Sequence, residues 1–277
     1  MNAEGNMKKI IRSGMLSIVM LLIFSTSIVH AFNAGAHLYI ADRVFKKQIY
    51  KIDLFYGSIA PDLSLYVKNT ESWPNAFDDT HYDSIDLRDD ASGFTQTNFA
   101  RGWLTHNEQW GADYIAHNAT DGYVKNKAET LSSEFFLNEE FAHYAIEVAI
   151  DLLLSNNDDD KLGEKLLKTV LFRSWKDRNL LVNVFVFGGN TDWLTLASAE
   201  FTFRNLVIRY AMALSLPEQE KLPALALLGV QLAQEFYGME VTPEEVQGIL
   251  TAAITLCESD YEQVIRQTVK QIKANIF

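Results

Sequence analysis

The sequence predicts an all-α protein, a compact helical bundle, and three observations lead there. Apolar residues recur at helical spacing through most of the chain, above all in its second half. No alternating apolar and polar run longer than four residues marks a strand. Histidines and carboxylates also fall at intervals that a helix brings to common faces.

The amino terminus differs from the rest. Lys8, Lys9 and Arg12 precede the apolar run MLSIVMLLIFSTSIV, which ends at Val29-His30-Ala31. A basic region, a short apolar core and small residues at the end form a secretory signal, residues 1–31, with cleavage after Ala31. An uncleaved anchor is the competing assignment, but the run is short for a comfortable span. No Cys stands near the cleavage site, which excludes a lipoprotein. The expected location is therefore outside the cytoplasm, secreted or periplasmic.

Residues 32–277 are expected to form one domain. With 48% apolar and 22% charged residues among 277, the chain can bury a substantial core. Its net charge of −12 becomes −14 without the leader, 21 Lys and Arg against 35 Asp and Glu. Such an acidic body repels polyanions, so no stable nucleic-acid partner is expected. Cys257 permits no internal disulfide, and its apolar surroundings suit a core position.

The segment FNAGAHLYIADRVF should open the domain with a helix carrying His37 near its start. IDLFYGSIAPDLSLYV follows as an apolar helix broken near Gly57 and turned by Pro61-Asp62, which places Asp62 in a tight loop. Residues 68–99, rich in Asp, Asn, Ser and Thr, read as a long functional loop holding Trp73, Phe77 and His81. Two helices, about 99–119 and 134–155, come next, and the acidic run 155–160 lacks the spacing of a calcium loop. Helices are then expected near 161–172, 176–187, 191–214, 218–237, 243–257 and 259–275, punctuated by Gly188-Gly189, Pro217 and Pro243.

His106, Asp113 and His117 stand seven and eleven positions apart, within about 20° of one helical face at 100° per residue. His143 and Glu147 are four apart on the next helix, with Asp151 a further turn along. A single His on a helix is usually an ordinary hydrogen-bonded residue. Here, however, His37, His81, His106, His117 and His143 all lie in the first half of the domain, and the 134 residues after His143 contain none. Imidazoles and carboxylates on facing stripes are the donors that hold zinc or a similar transition metal inside a helical bundle.

FNAGAH, GSIAPD, the loop His81, GWLTH followed by GADYIAH, and HYAIE, in this order, resemble the zinc-dependent phospholipases C of bacteria. Their wider fold group includes single-strand-specific zinc nucleases. The resemblance covers residues 32–152 and implies an all-helical bundle with three zinc ions at the bottom of a cleft. It implies that Phe32, as the new terminus, binds one zinc through its α-amino group and carbonyl, together with His37. Asp62, His81 and His106 would hold a second, bridged to the first by Asp113, and His117, His143 and Glu147 a third. The Phe32-to-His37 interval equals that of the nuclease branch.

One departure stands out. The family places its bridging Asp one turn after the first His, where this chain has Trp110. Asp113, two turns on, would sit about 5 Å farther along the axis unless the helix is distorted. Glu108 could substitute only in a distorted helix, since it points away from the stripe.

The resemblance implies phosphodiester hydrolysis by a metal-activated water, with Asp62 as general base as well as ligand. Phospholipid is the expected substrate, with peripheral membrane contact made by loops. Tyr56, Tyr66, Trp73 and Phe77 would line a headgroup site or simply pack in the core. A zinc nuclease, or a helical protein stabilised by metal without catalysis, are the alternatives.

Overall fold

The computed structural model describes residues 33–48, 51–83, 86–119, 122–157 and 161–277. The leader and Phe32 lie outside these residues. All the regular structure described is helical, as the periodicity predicts. In order, the helices are α1 (Ala34–Val44), α2 (Ile52–Ile59), α3 (Gly93–Trp103), α4 (Tyr123–Phe135), α5 (Glu139–Asn157) and α6 (Leu162–Phe172). They continue with α7 (Trp175–Leu181), α8 (Trp193–Leu214), α9 (Glu218–Tyr237), α10 (Pro243–Cys257) and α11 (Tyr261–Ile276). Among the described residues no helix is long and apolar enough to cross a membrane.

Helix α5 is the axis of the bundle. Twelve of its nineteen residues are buried, on every side rather than along one stripe, and α1, α4, α6, α9 and α10 pack around it. A helix surrounded in this way should be apolar all round. Yet Glu147 and Asp151 sit at its centre, each fully buried. Carboxylates survive there only with compensating partners.

The ends of the later helices follow their sequence signals. Asp192 caps α8 by accepting from the Leu194 and Thr195 amides. Thr242 and Glu245 form a capping box at α10, with Pro243 in its first turn. Cys257 is buried, as its context suggests.

Helices α2 and α3 approach so closely that only glycine fits between them. A Cβ on Gly57 would stand 2.0 Å from the Phe99 carbonyl oxygen, and one on Gly102 would stand 1.9 Å from that of Leu54. This contact lays α2, from which the 3-10 helix Ala60–Tyr66 continues, against α3. The tight loop expected around Asp62 is a 3-10 helix with Pro61 in its first turn.

Asp177 of α7 is fully buried, and neither of its oxygens has a hydrogen-bond partner among the described residues. Burial first, then the neighbouring Asp53 carboxylate, push its carboxyl up to about 9. An unfolded Asp titrates near 3.9, so above that pH the folded state holds the extra proton and stability falls by ~1.4 kcal/mol per pH unit. The decline continues until pH passes about 9. Asp177→Asn, whose amide can donate to Asp53, is expected to remove this slope. Urea unfolding should show the variant gaining more over the native protein at pH 8 than at pH 5, and an equal gain at both would refute the assignment.

Candidate metal centre

All eight of the expected donors that lie within the described residues converge. Three groups form, each with its donor atoms within 4.8 Å of one another: His37, Asp62 and His106; His81, His106 and Asp113; His117, His143 and Glu147. His37, His81, His106, Asp113 and Glu147 are almost wholly buried, while Asp62, His117 and His143 lie nearer the surface. A cleft of about 290 Å³ opens onto His117 and His143.

The helix expected over 99–119 is not continuous. Helix α3 ends at Trp103, and the chain makes an excursion before a π-helical turn, Tyr114–Asn118, resumes the path. The amides of Ala112, Asp113 and Tyr114 donate to the carbonyls of Thr105, His106 and Asn107, at 2.9, 3.0 and 3.3 Å. Each bond spans seven residues where an α-helix spans four. Three residues are in effect looped out, so Asp113 follows His106 as the next turn of a helix would. The 5 Å offset expected from the sequence is thereby absorbed.

Two residues make the excursion. The Asn107 side chain accepts from the amides of Gln109, Trp110 and Gly111 at 3.0, 2.9 and 3.1 Å. At Gly111 a Cβ would stand 2.4 Å from the His106 carbonyl oxygen, too close for any other residue.

Asp113 lies between the remaining donors. Its Oδ1 is 3.5 Å from His37 Nε2, and its Oδ2 is 3.6 Å from His81 Nε2 and 3.1 Å from His106 Nε2. One carboxylate thus faces two sets of imidazoles, the disposition of a bridge. Asp62 Oδ1 lies 3.4 Å from His106 Nε2 and 3.8 Å from His81 Nε2. The His37 and His106 rings stack at 3.9 Å.

Three of the imidazoles are oriented by one device. His106 Nδ1 is 2.8 Å from the Ser58 carbonyl, and His81 Nδ1 is 3.1 Å from the Phe77 carbonyl and 2.7 Å from Thr80 Oγ1. His117 Nδ1 is 2.5 Å from Glu108 Oε1. A carbonyl or carboxylate only accepts, so Nδ1 carries the proton and Nε2 turns its lone pair toward the cluster. For His106 it meets another acceptor, the Asp113 oxygen, and for His117 it lies 3.2 Å from His143 Nε2. A positive charge, proton or metal, has to lie between His106 Nε2 and the Asp113 oxygen.

The electrostatics agree. Burial opposes a charged His106, yet Asp113 and Asp62 outweigh it and hold the imidazole well above its ordinary value. Burial likewise opposes ionised Asp62, but His106 keeps it well below the usual carboxylate range. Burial, then Asp62, Asp113 and Asp151, drive Glu147 well above. His106 Nε2, Asp113 Oδ1 and both Glu147 oxygens are buried without a hydrogen-bond partner among the described residues. Buried imidazole and carboxylate clusters of this composition could hold a metal ion.

No family model, curated protein or solved structure matches this chain. The centre therefore stands on its own geometry.

Other expected residues fall elsewhere. Asp151 shares the stripe of His143 and Glu147 but accepts from the Gly35 and Ala36 amides at 2.9 and 2.6 Å and from the Tyr210 hydroxyl at 2.9 Å. It caps α1 from across the bundle. Tyr56 and Trp73 are core residues, bonded to Glu200 and Asp79, and so cannot line a headgroup site. Phe77 stacks on the His81 ring at 4.0 Å. Glu108, expected to point away, is turned inward by the excursion onto His117 rather than into the cluster. The seven-residue interval from His106 to Asp113, with Asn107 and Gly111 inside it, was the signal for this distortion.

Proposed function

We propose that the protein is a secreted, zinc-dependent phosphodiester hydrolase of the phospholipase C type, binding three zinc ions. The observation that carries this reading is the convergence of eight donors, drawn from separate segments, on three adjoining groups with His106 common to two. Phe32 would complete the group around His37 once residues 1–31 are removed.

Zinc held there would supply Lewis acidity toward a phosphoryl oxygen and make a neighbouring water more acidic. Asp62 is the most accessible carboxylate among the donors, and its side chain accepts the proton of the attacking water. The carboxylates Asp62, Asp113 and Glu147 offset the charge of the bound cations.

The cleft beside His117 and His143 favours a lipid headgroup. Lys125 lines it together with Glu129, Glu139 and Glu140. One cation among three carboxylates repels a polyanion but accommodates a zwitterion, its phosphate toward Lys125 and its ammonium toward the glutamates.

Zinc analysis of protein beginning at Phe32 is expected to return three ions per chain, and fewer than two would end the proposal. Phosphatidylcholine should be cleaved in preference to single-stranded DNA, and the reverse preference would replace the lipase reading with a nuclease. His143→Ala should abolish whichever activity is present.

A further inference from the structure

We propose that the Glu108 side chain is a positioning residue for His117, while the backbone amide of the same residue joins it to the other half of the metal centre, an inference that rests on the metal-binding reading above. Glu108 is almost wholly buried, although carboxylates seldom are without a dedicated partner. Its partners are specific. Oε1 accepts from His117 Nδ1 at 2.5 Å, and Oε2 accepts from the Asn118 side-chain amide. The backbone amide of the same residue donates to the His81 carbonyl at 3.2 Å.

One residue thus holds the backbone of a donor in one group and the ring of a donor in another. The side chain acts on His117 in two ways. It fixes the tautomer with the proton on Nδ1, leaving Nε2 to face His143 and Glu147. Its negative charge also makes the imidazole a stronger donor, as a carboxylate behind a metal-bound histidine does. Glu108 reaches this position only because the chain is looped out after His106, so the distortion that aligns Asp113 with one group also supplies the orienting carboxylate of the other. Such partners typically change metal affinity by about 10–100-fold when removed.

The test compares zinc binding by the native protein, Glu108→Ala and Glu108→Gln, by calorimetric titration at pH 7, with the visible spectrum of each cobalt(II)-loaded protein as a second readout. Glu108→Ala is expected to weaken one class of sites about 10–100-fold and alter the cobalt bands, leaving the other sites unchanged. Glu108→Gln should weaken the same class by less, since its amide oxygen still accepts from Nδ1 but carries no charge. In a His117→Ala background neither substitution should have a further effect.

Native affinity at every site in both variants would overturn the inference while leaving the metal centre standing. So would a loss spread evenly over all sites, the mark of a general effect on folding. If Glu108→Ala does not fold, the isosteric Gln variant decides. A native protein that binds no zinc would instead bring down the metal-centre reading, and this inference with it.

Discussion

Replacing His106 by alanine should lower the proposed phosphodiester hydrolysis at least a thousandfold, equivalent to ~4 kcal/mol of lost transition-state stabilisation. His106 is the donor common to two groups, and its Nε2 lies within 3.4 Å of both Asp62 and Asp113. Removing it deprives both carboxylates of their shared partner, so zinc content should fall along with activity. The metal-free protein offers an independent check. With its pKa raised in the folded state, His106 contributes stability that is fully present below about pH 6.5 and is lost as pH rises through the folded value. The metal-free variant should therefore be most destabilised near pH 6 and approach the native protein in alkali. Native zinc content in the variant, or activity within tenfold of native, would remove His106 from the centre.

The helical pairs were legible because they depend on local chemistry. His143 and Glu147 lie together since nothing interrupts α5 between them, and their side chains meet at 3.1 Å. Pro243 and the Thr242-Glu245 box set the start of α10 within a few residues of one another.

The segment between Trp103 and Tyr114 was not legible in the same way. Its apolar spacing suits a continuous helix. What breaks it is Asn107 capping three amides and Gly111 lying against the His106 carbonyl. A periodicity argument sees the spacing of side chains and not the competition between a side-chain oxygen and the helical carbonyls for the same amides.

Tyr56 and Trp73 were ambiguous for a different reason. Whether an aromatic ring beside Asp62 lines a cleft or fills the core depends on its distant partner. For Tyr56 that partner is Glu200, on α8. Asp151 shows the same limit, because the helix N-terminus it caps lies more than a hundred residues earlier in the chain.

Gly102→Ala should destabilise the protein by about 3 kcal/mol, the upper end of the usual cost of overpacking. The added Cβ would lie 1.9 Å from the Leu54 oxygen and 2.8 Å from the Ser58 nitrogen. Both are backbone atoms of α2, which cannot swing aside as a side chain would. Relief requires α2 and α3 to separate, and that movement reaches the candidate metal centre. Ser58, whose carbonyl orients His106, and Asp62, at the continuation of α2, would both be drawn away from the donors at the end of α3. Zinc affinity of the folded fraction should fall together with stability. Gly248→Ala is the control. Gly248 lies within α10, and nothing stands within 4 Å of a Cβ there. Lower backbone entropy in the unfolded chain should make that variant about 0.5–1 kcal/mol more stable. Equilibrium denaturation of both variants, paired with zinc titration, separates crowding at one interface from the general effect of adding a methyl to a helix. If Gly102→Ala is as stable as Gly248→Ala, the close approach of α2 to α3 is not what fixes His106 in place.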